Sequence, residues 1–281
     1  MTRATIADHR YGKAGVRLLR LDRSGERHHL FEADVEISLE GDFLAAYTEG
    51  DNSRVVPTDT MKNTVYALAR QRPFDGPEEL GSLLARHFAE TKPQVRRATV
   101  TVSARSWARH GDHPSTFVGG GDERATAEVV ADAENGSSAV TVSQGIENLL
   151  ILKSSGSGFE GFPSDRYTTL EETSDRILAT RLAARWEVSG SDHDWEELRR
   201  HVRTALLDAF AGHSSRSVQH TLHAMAEAVL ETSRSIDRIR LQMPNKHYLL
   251  ADLSPFGLDN PNHVFVPTDE PAGMIEATLA R

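Results

Sequence analysis

Residues 30–39 read Leu30-Phe31-Glu32-Ala33-Asp34-Val35-Glu36-Ile37-Ser38-Leu39 and alternate without a fault. Phe31, Ala33, Val35, Ile37 and Leu39 take one face, and Glu32, Asp34, Glu36 and Ser38 take the other, since successive strand side chains point to opposite sides. One apolar face and one wet face mark an antiparallel strand lying on a core. Residues 16–21 precede it across a loop containing Ser24-Gly25, so a hairpin is expected.

Two helical stretches follow. The first begins near Thr58-Asp59, both good caps, and carries Met61, Val65 and Leu68 on one stripe. The second opens Gly76-Pro77-Glu78-Glu79, with proline where a first turn tolerates it and acids at the positive helix end. Leu80, Leu83, Leu84 and Phe88 fall at helical spacing in it, and Pro93 closes it. Ala98, Val100, Val102 and Ala104 then alternate as a strand.

The cluster Glu134-Asn135-Gly136-Ser137-Ser138 is a turn of the Asn-Gly kind and is read as the midpoint, dividing the chain into 1–136 and 137–281. The order of elements then repeats. Residues 140–153 read as a strand, and Leu182, Ala184, Trp186 and Val188 as another. One helix carries Trp195, Leu198, Val202, Leu206 and Phe210, and the next carries Val218, Leu222, Met225 and Val229. Ile239, Leu241 and Met243 form a strand before Asn245. Each half is therefore expected as strand, strand, helix, helix, strand, strand, an antiparallel α+β architecture.

The 281 residues suit two domains or one large sheet-based unit. A hydrophobic fraction of 38% with 26% charged residues fits a folded globular chain. A net charge of −9 argues against tracking of nucleic-acid phosphates. The sequence holds no cysteine, which excludes disulfides, thiolate chemistry, zinc fingers and iron–sulfur clusters. No apolar run approaches the ~18 residues of a membrane span. Met1-Thr2-Arg3 does not begin a secretory signal and Thr278-Leu279-Ala280-Arg281 is not a peroxisomal address, so a cytoplasmic location is expected.

Some motifs fail on physical context. Gly156-Ser157-Gly158-Phe159-Glu160-Gly161 matches G-x-G-x-x-G, but Phe162-Pro163 follows where a phosphate-holding helix should begin. A flexible loop presenting Phe159 is the preferred reading. The 13 histidines offer no H-E-x-x-H pattern. His220 and His223 share a helix face, and His110 and His113 flank Asp112, without a third ligand. No G-x-S-x-G elbow occurs.

Other positions carry weight only together. Asn245 and His247, two apart at a strand start, project to one face, where an amide can hold a polar molecule while an imidazole moves a proton. Taken singly, His247 is also read as a half-buried histidine, Lys13 as solvated, Thr58 as a helix cap, and Arg176 as a partner of Asp175 or Glu172. Gln219, beside the apolar-stripe residue Val218, reads equally well as solvent-facing.

In order, the strings Y-G-K-A-G-V-R (11–17), V-V-P-T-D-T-M-K-N-T-V-Y (55–66), F-E-G-F-P-S-D-R-Y-T-T-L (159–170), E-T-S-D-R-I-L-A-T (172–180), S-V-Q-H-T (217–221) and M-P-N-K-H-Y (243–248) resemble the urate oxidase (uricase) family. The resemblance runs from about residue 10 to the C-terminus, and its T-D-x-x-K-N-T and P-N-K-H-Y elements are highly specific. It implies two tandem tunnelling-fold (T-fold) units per chain. Paired subunits would form a helix-wrapped antiparallel β-barrel, and two barrels would stack into a homotetramer with sites at subunit interfaces. It implies oxidation of urate by O2 and water to 5-hydroxyisourate and hydrogen peroxide, with neither a metal nor an organic cofactor. Carried over by motif, Lys13, Thr58 and His247 handle protons, while Asp59, Phe159, Arg176, Val218, Gln219 and Asn245 bind urate and oxygen. Two departures stand out: the absent peroxisomal tripeptide, and Glu160 where eukaryotic relatives often place an aromatic residue. Relatives of this fold also handle pterins and purines, so a purine- or pterin-binding protein, or another purine-transforming enzyme, is the alternative. The presence of Lys13, Thr58 and His247 favours the oxidase.

Overall fold

A computed structural model describes residues 4–134, 137–190 and 193–281. Asn135 and Gly136, the centre of the expected midpoint turn, lie outside the described residues. Contacts divide the chain into two compact units, Met1–Gly145 with Ser191–Glu196, and Ile146–Gly190 with Glu197–Arg281.

In the first unit, β1 (Tyr11–Asp22) and β2 (His29–Gly41) form the expected antiparallel hairpin. A short helix α1 (Leu44–Thr48) follows, then α2 (Thr58–Gln71) and α3 (Pro77–Thr91). Next come β3 (Val95–Arg109) and β4 (Phe117–Glu134), and β5 (Ser137–Lys153) begins here, giving the strand order β1-β2-β3-β4-β5. The alternation of residues 30–39 explains the packing. Val35 lies opposite Val16 on β1 and Val102 on β3, and Ile37 opposite Val100. These residues are buried in one cluster with Met61 and Val65 of α2 and Leu80, Leu84 and Phe88 of α3. The strand faces bearing Glu36 and Thr101 point away from that core.

Of the two expected helix starts, the first is corrected at its cap, while the second keeps Pro77 and the acids Glu78 and Glu79 in its first turn. Thr58 is the first residue of α2, not its cap; Pro57 holds the cap position in extended geometry, and no side chain caps the helix. A threonine already helical cannot fold back as a cap does onto the second or third amide. At α3, Glu79 does reach back, accepting the Asp75 backbone N–H at 2.8 Å. Glu78 instead is buried at 1% exposure and accepts a hydrogen bond of 2.8 Å from the Gln144 amide. β4 supplies a strand that the expected element order required but to which the sequence pattern had assigned no residues.

The second unit continues β5 and adds β6 (Leu178–Val188), α4 (Trp195–Gly212), α5 (Val218–Thr232), β7 (Ile236–Gln242) and β8 (Asn245–Leu250). Beyond these lie β9 (Phe265–Gly273) and β10 (Glu276–Ala280), which the sequence had not announced. The order is β5-β6-β7-β10, with β8 pairing to β6 and β9. Leu182, Ala184 and Trp186 of β6 meet Val202, Leu206 and Phe210 of α4 and Leu222, Met225 and Val229 of α5 in a second core.

Candidate active site

The sequence-expected site residues fall into two groups, one in each unit. In the first unit, Lys13 stands on β1 just before a register shift between Lys13 and Val16. Gly15 occupies the left-handed region there, with φ 67°, which a side-chain-bearing residue would strain to adopt. The bulge turns the strand locally and so re-aims Lys13. The lysine is half-buried and lines a cleft with Tyr11, Glu36, Ser38, Thr99 and Thr101.

Thr58 and Asp59 open α2 and are exposed. The Asp59 carboxylate accepts Lys62 Nζ at 2.5 Å and Asn63 Nδ2 at 2.8 Å. Lys62 holds the Asp59 pKa below the ordinary carboxylate range, with smaller help from Asn63 and from the charge of Lys13. Helix α2 packs against β1, which brings the segments that carry Asp59 and Lys13 into one neighbourhood. A residue that sequence reasoning missed sets the spacing. The Tyr11 hydroxyl accepts the Val56 N–H at 2.7 Å and donates to the Val56 carbonyl at 3.2 Å. Tyr11 lies two residues before Lys13, and Val56 two residues before Thr58.

In the second unit, the loop after β5, expected from the sequence to be flexible, is tied by hydrogen bonds at both ends. Phe159 and Thr173 exchange backbone hydrogen bonds of 2.7 and 3.1 Å, and Ser157 bridges to Ser215. Phe159 stacks on Phe162, with centroids 4.9 Å apart and planes 15° off parallel. The Arg176 guanidinium lies over the Phe159 ring, 5.1 Å from its centroid.

Arg176 is half-buried, and burial pushes its pKa below the usual guanidinium value, though a guanidinium keeps its charge. Its Nε is buried and has no hydrogen-bond partner among the described residues. The expected pairings with Asp175 and Glu172 do not form. Asp175 binds the Gly156 and Ser157 amides, and Glu172 binds the Gly161 amide. A buried donor left open beside an aromatic ring is the arrangement a flat anionic ligand completes.

Asn245 and His247 on β8 are half-buried and line one cleft with Arg176, Thr173, Ile177 and Tyr248. Asn245 pairs with Thr180 on β6 and Gly273 on β9, and a register shift separates it from His247, which pairs with Thr268. Val218 and Gln219 form the first turn of α5, capped by Ser217, whose hydroxyl accepts the His220 N–H at 3.1 Å. The Val218 side chain belongs to the core, whereas Gln219 is exposed. Among the described residues, no three His, Cys, Asp or Glu side chains gather into a set that could hold a metal ion.

The sequence profile of uricases matches residues 9–137 and 142–276. The chain belongs to the uricase family. It is 45% identical over 280 residues to the uricase of Arthrobacter globiformis, covering 100% of this chain and 91% of that one. It is 39% identical to the uricase of Dictyostelium discoideum, covering 99% of this chain and 98% of the other. The crystal structure of uricase from Arthrobacter globiformis superposes with a TM-score of 0.93 at 44% identity, covering 100% of this chain and 96% of that chain. The antiparallel α+β architecture is thus that of the uricase T-fold.

Against the uricase motifs, the structure explains more than the expected ligands. Y-G-K-A-G-V-R contains the tyrosine that braces Val56 and the glycine that permits the bulge. E-T-S-D-R contains Thr173 and Asp175, which anchor the Phe159 loop. The alternating geometry of these anchors was invisible in sequence, because each partner lies many residues away.

Proposed function

We propose that this chain oxidises urate with O2 and water to 5-hydroxyisourate and hydrogen peroxide, without metal or organic cofactor. The observation that carries this reading is the full-length likeness to uricases. The Arg176–Phe159 arrangement supports it chemically. Urate is flat and anionic, with alternating donors and acceptors on its edge. The guanidinium fork of Arg176 can meet a carbonyl and a ring nitrogen together, and the Gln219 amide can give one bond and take another. Phe159 would stack on the purine face in place of its stack with Phe162, worth about 0.5–1.5 kcal/mol beyond buried area. Asn245 and Val218 would border the oxygen and urate positions.

Urate reduces O2 readily once a further proton leaves it, so proton transfer and placement are the protein's tasks. Lys13 would accept a proton through the Thr58 hydroxyl, and His247 would shuttle another. Asp59, tied to Lys62 and Asn63, would present the α2 start to the substrate. In this reading the halves 1–136 and 137–281 are T-fold units of a cytoplasmic homotetramer. Thr58 and Asp59 then reach urate from a neighbouring subunit.

The test is loss of urate absorbance with stoichiometric peroxide from exhaustively chelated protein. Activity that vanished and returned only with copper or iron would end the cofactor-free account. Urate binding without O2 uptake would mark a purine- or pterin-binding protein instead. The shared site has its own test in mixing Thr58→Ala with Arg176→Ala subunits. Mixed assemblies contain sites free of both lesions, and some activity should return; none returning after verified co-assembly refutes the sharing.

A further inference from the structure

Residues 155–159 are held from two sides at once. On one side stands Asp175. Its Oδ1 accepts the N–H groups of Gly156 at 2.6 Å and Ser157 at 3.3 Å, and its Oδ2 accepts the Ser155 hydroxyl at 2.7 Å. The next residue completes the clamp, since the Arg176 N–H donates to the Ser157 carbonyl at 2.7 Å. On the other side, Gly158 N–H donates to the Ser215 carbonyl at 2.8 Å, and Ser215 N–H to the Gly156 carbonyl at 2.9 Å. Ser215 Oγ then donates to the carbonyl of Ser217, the α5 cap, at 3.0 Å. The fit is close: a Cβ on Gly158 would stand 3.0 Å from the Ser174 carbonyl oxygen and 3.1 Å from that of Thr173.

We infer that Asp175 is a positioning residue for substrate binding. Its carboxylate fixes the turn that sets Phe159 against the Arg176 guanidinium and, through Ser215, against the α5 start that carries Gln219. Two successive N–H groups aimed at one oxygen make a small anion-binding concavity, and here the anion is built into the chain. Charge-assisted bonds of this kind are roughly twice as strong as neutral ones, so a carboxylate holds the turn where an amide of equal shape holds it less well. The same bonds keep the Asp175 pKa below the usual carboxylate range, the Ser155 hydroxyl contributing most. Asp175 would touch no urate atom; it acts through Phe159, Arg176 and Gln219. The inference rests on the urate reading above.

The test uses intact Asp175→Asn and Asp175→Ala proteins, with urate kinetics, anaerobic urate binding and amide hydrogen exchange. For Asp175→Asn, the urate KM and the anaerobic Kd should both rise about tenfold, the scale of weakening one charge-assisted hydrogen bond. The kcat should stay within about threefold of the parent, because the interactions lost are those of binding. Exchange at Gly156 and Ser157 should accelerate while the α5 core stays protected. Asp175→Ala should exaggerate all three changes; should it fail to fold, Asp175→Asn carries the test. An unchanged KM, a fall in kcat as large as the rise in KM, or a turn as protected as in the parent would each overturn the role. A parent that consumes no urate refutes the function proposed above whatever the variants do. An active parent with unmoved variants refutes the positioning role alone.

Discussion

The two groups of site residues are built by different means. Lys13, Thr58 and Asp59 stand on regular elements, a bulged strand and the first turn of a helix, braced by one tyrosine. Phe159 and Arg176 stand on irregular chain, tied by backbone and carboxylate bonds to partners 14 to 58 positions away, as Phe159–Thr173 and Ser157–Ser215 show. The first group is open to solvent or half-open; the second includes a guanidinium that burial has partly desolvated. A proton relay needs few groups at fixed spacing, which a strand and a helix supply. Recognition of a flat, many-edged anion would need groups converging from several directions, and here a braced loop carries Phe159 and Arg176 while the starts of α5 and β8 carry Gln219 and Asn245.

The comparison breaks most sharply at Lys13. Lys13→Met should lower kcat by about 10²–10⁴-fold, the range of a general base, with little change in urate binding. Thr58→Ala in that background should add little, since residues acting as one unit are not additive. Kinetics on both single variants and the double variant decide this. Independent, multiplicative losses would mean that the two residues do not share one proton path, and the first group would lose its functional unity.

Arg176→Ala should act on the other quantity. Loss of hydrogen bonds to a charged group costs about 1.5–3 kcal/mol, which is about 10- to 150-fold in affinity. Titration of urate under anaerobic conditions reads it without interference from turnover. A variant that binds urate as tightly as its parent would show that the open guanidinium serves something else.

These contrasts also explain what the sequence could disclose. The alternation of residues 30–39, the helix stripes of Met61 and Val65 and of Leu222 and Met225, and the strand at Leu182 were legible because period 2 and period 3.6 are local facts. Residues 117–134 were missed although Ala125, Ala127, Val129, Ala131 and Ala133 alternate with Thr126, Glu128 and Asp132, because alanines give a weak apolar signal and the Gly119-Gly120-Gly121 run reads as loop. Thr58 was misread as a cap because a cap is defined by backbone geometry that Pro57 takes over. The ties that hold Phe159 in the loop after β5 could not be read from the sequence, because their partners Thr173, Asp175 and Ser215 lie far along the chain. The site residues were named from motif resemblance. Their local surroundings, Tyr11 at Val56 and Asp175 at Gly156, required coordinates.

Tyr11→Phe sharpens the comparison at smaller amplitude. It removes a hydroxyl that satisfies both backbone groups of Val56, which is itself buried. Leaving such groups unpaired costs about 1–3 kcal/mol. Chemical denaturation should show a loss in that range, and kcat should fall several-fold with urate KM nearly unchanged, because only the Lys13–Thr58 spacing loosens. A rise in KM without a fall in kcat would place Tyr11 with recognition instead, and the division of labour drawn above would not hold.

The smallest expected effect concerns pH and the second unit alone. His213 follows α4 and lies beside Ser215, the anchor of the Phe159 loop. Its Nε2 is 3.2 Å from His220 Nδ1, and Lys153 Nζ donates to its carbonyl at 2.6 Å. Burial, with the charges of His220 and Lys153, lowers its pKa below the ordinary histidine value. A histidine depressed in the folded state binds fewer protons there than in the unfolded chain. Its contribution to stability is therefore complete above the unfolded value, about 6.5, and is lost as pH falls from there through the folded value. A second proton would also set N–H against N–H across the His213–His220 contact. Hydrogen exchange at about pH 7.5 and pH 5.5, on either side of that unfolded value, should show residues 213–217 loosening in acid while β1 to β3 keep their protection. His213→Gln should flatten that difference. Equal loosening of both units, or a His213→Gln protein with the parent's acid response, would assign the acid sensitivity to other groups and leave the loop's anchor indifferent to pH.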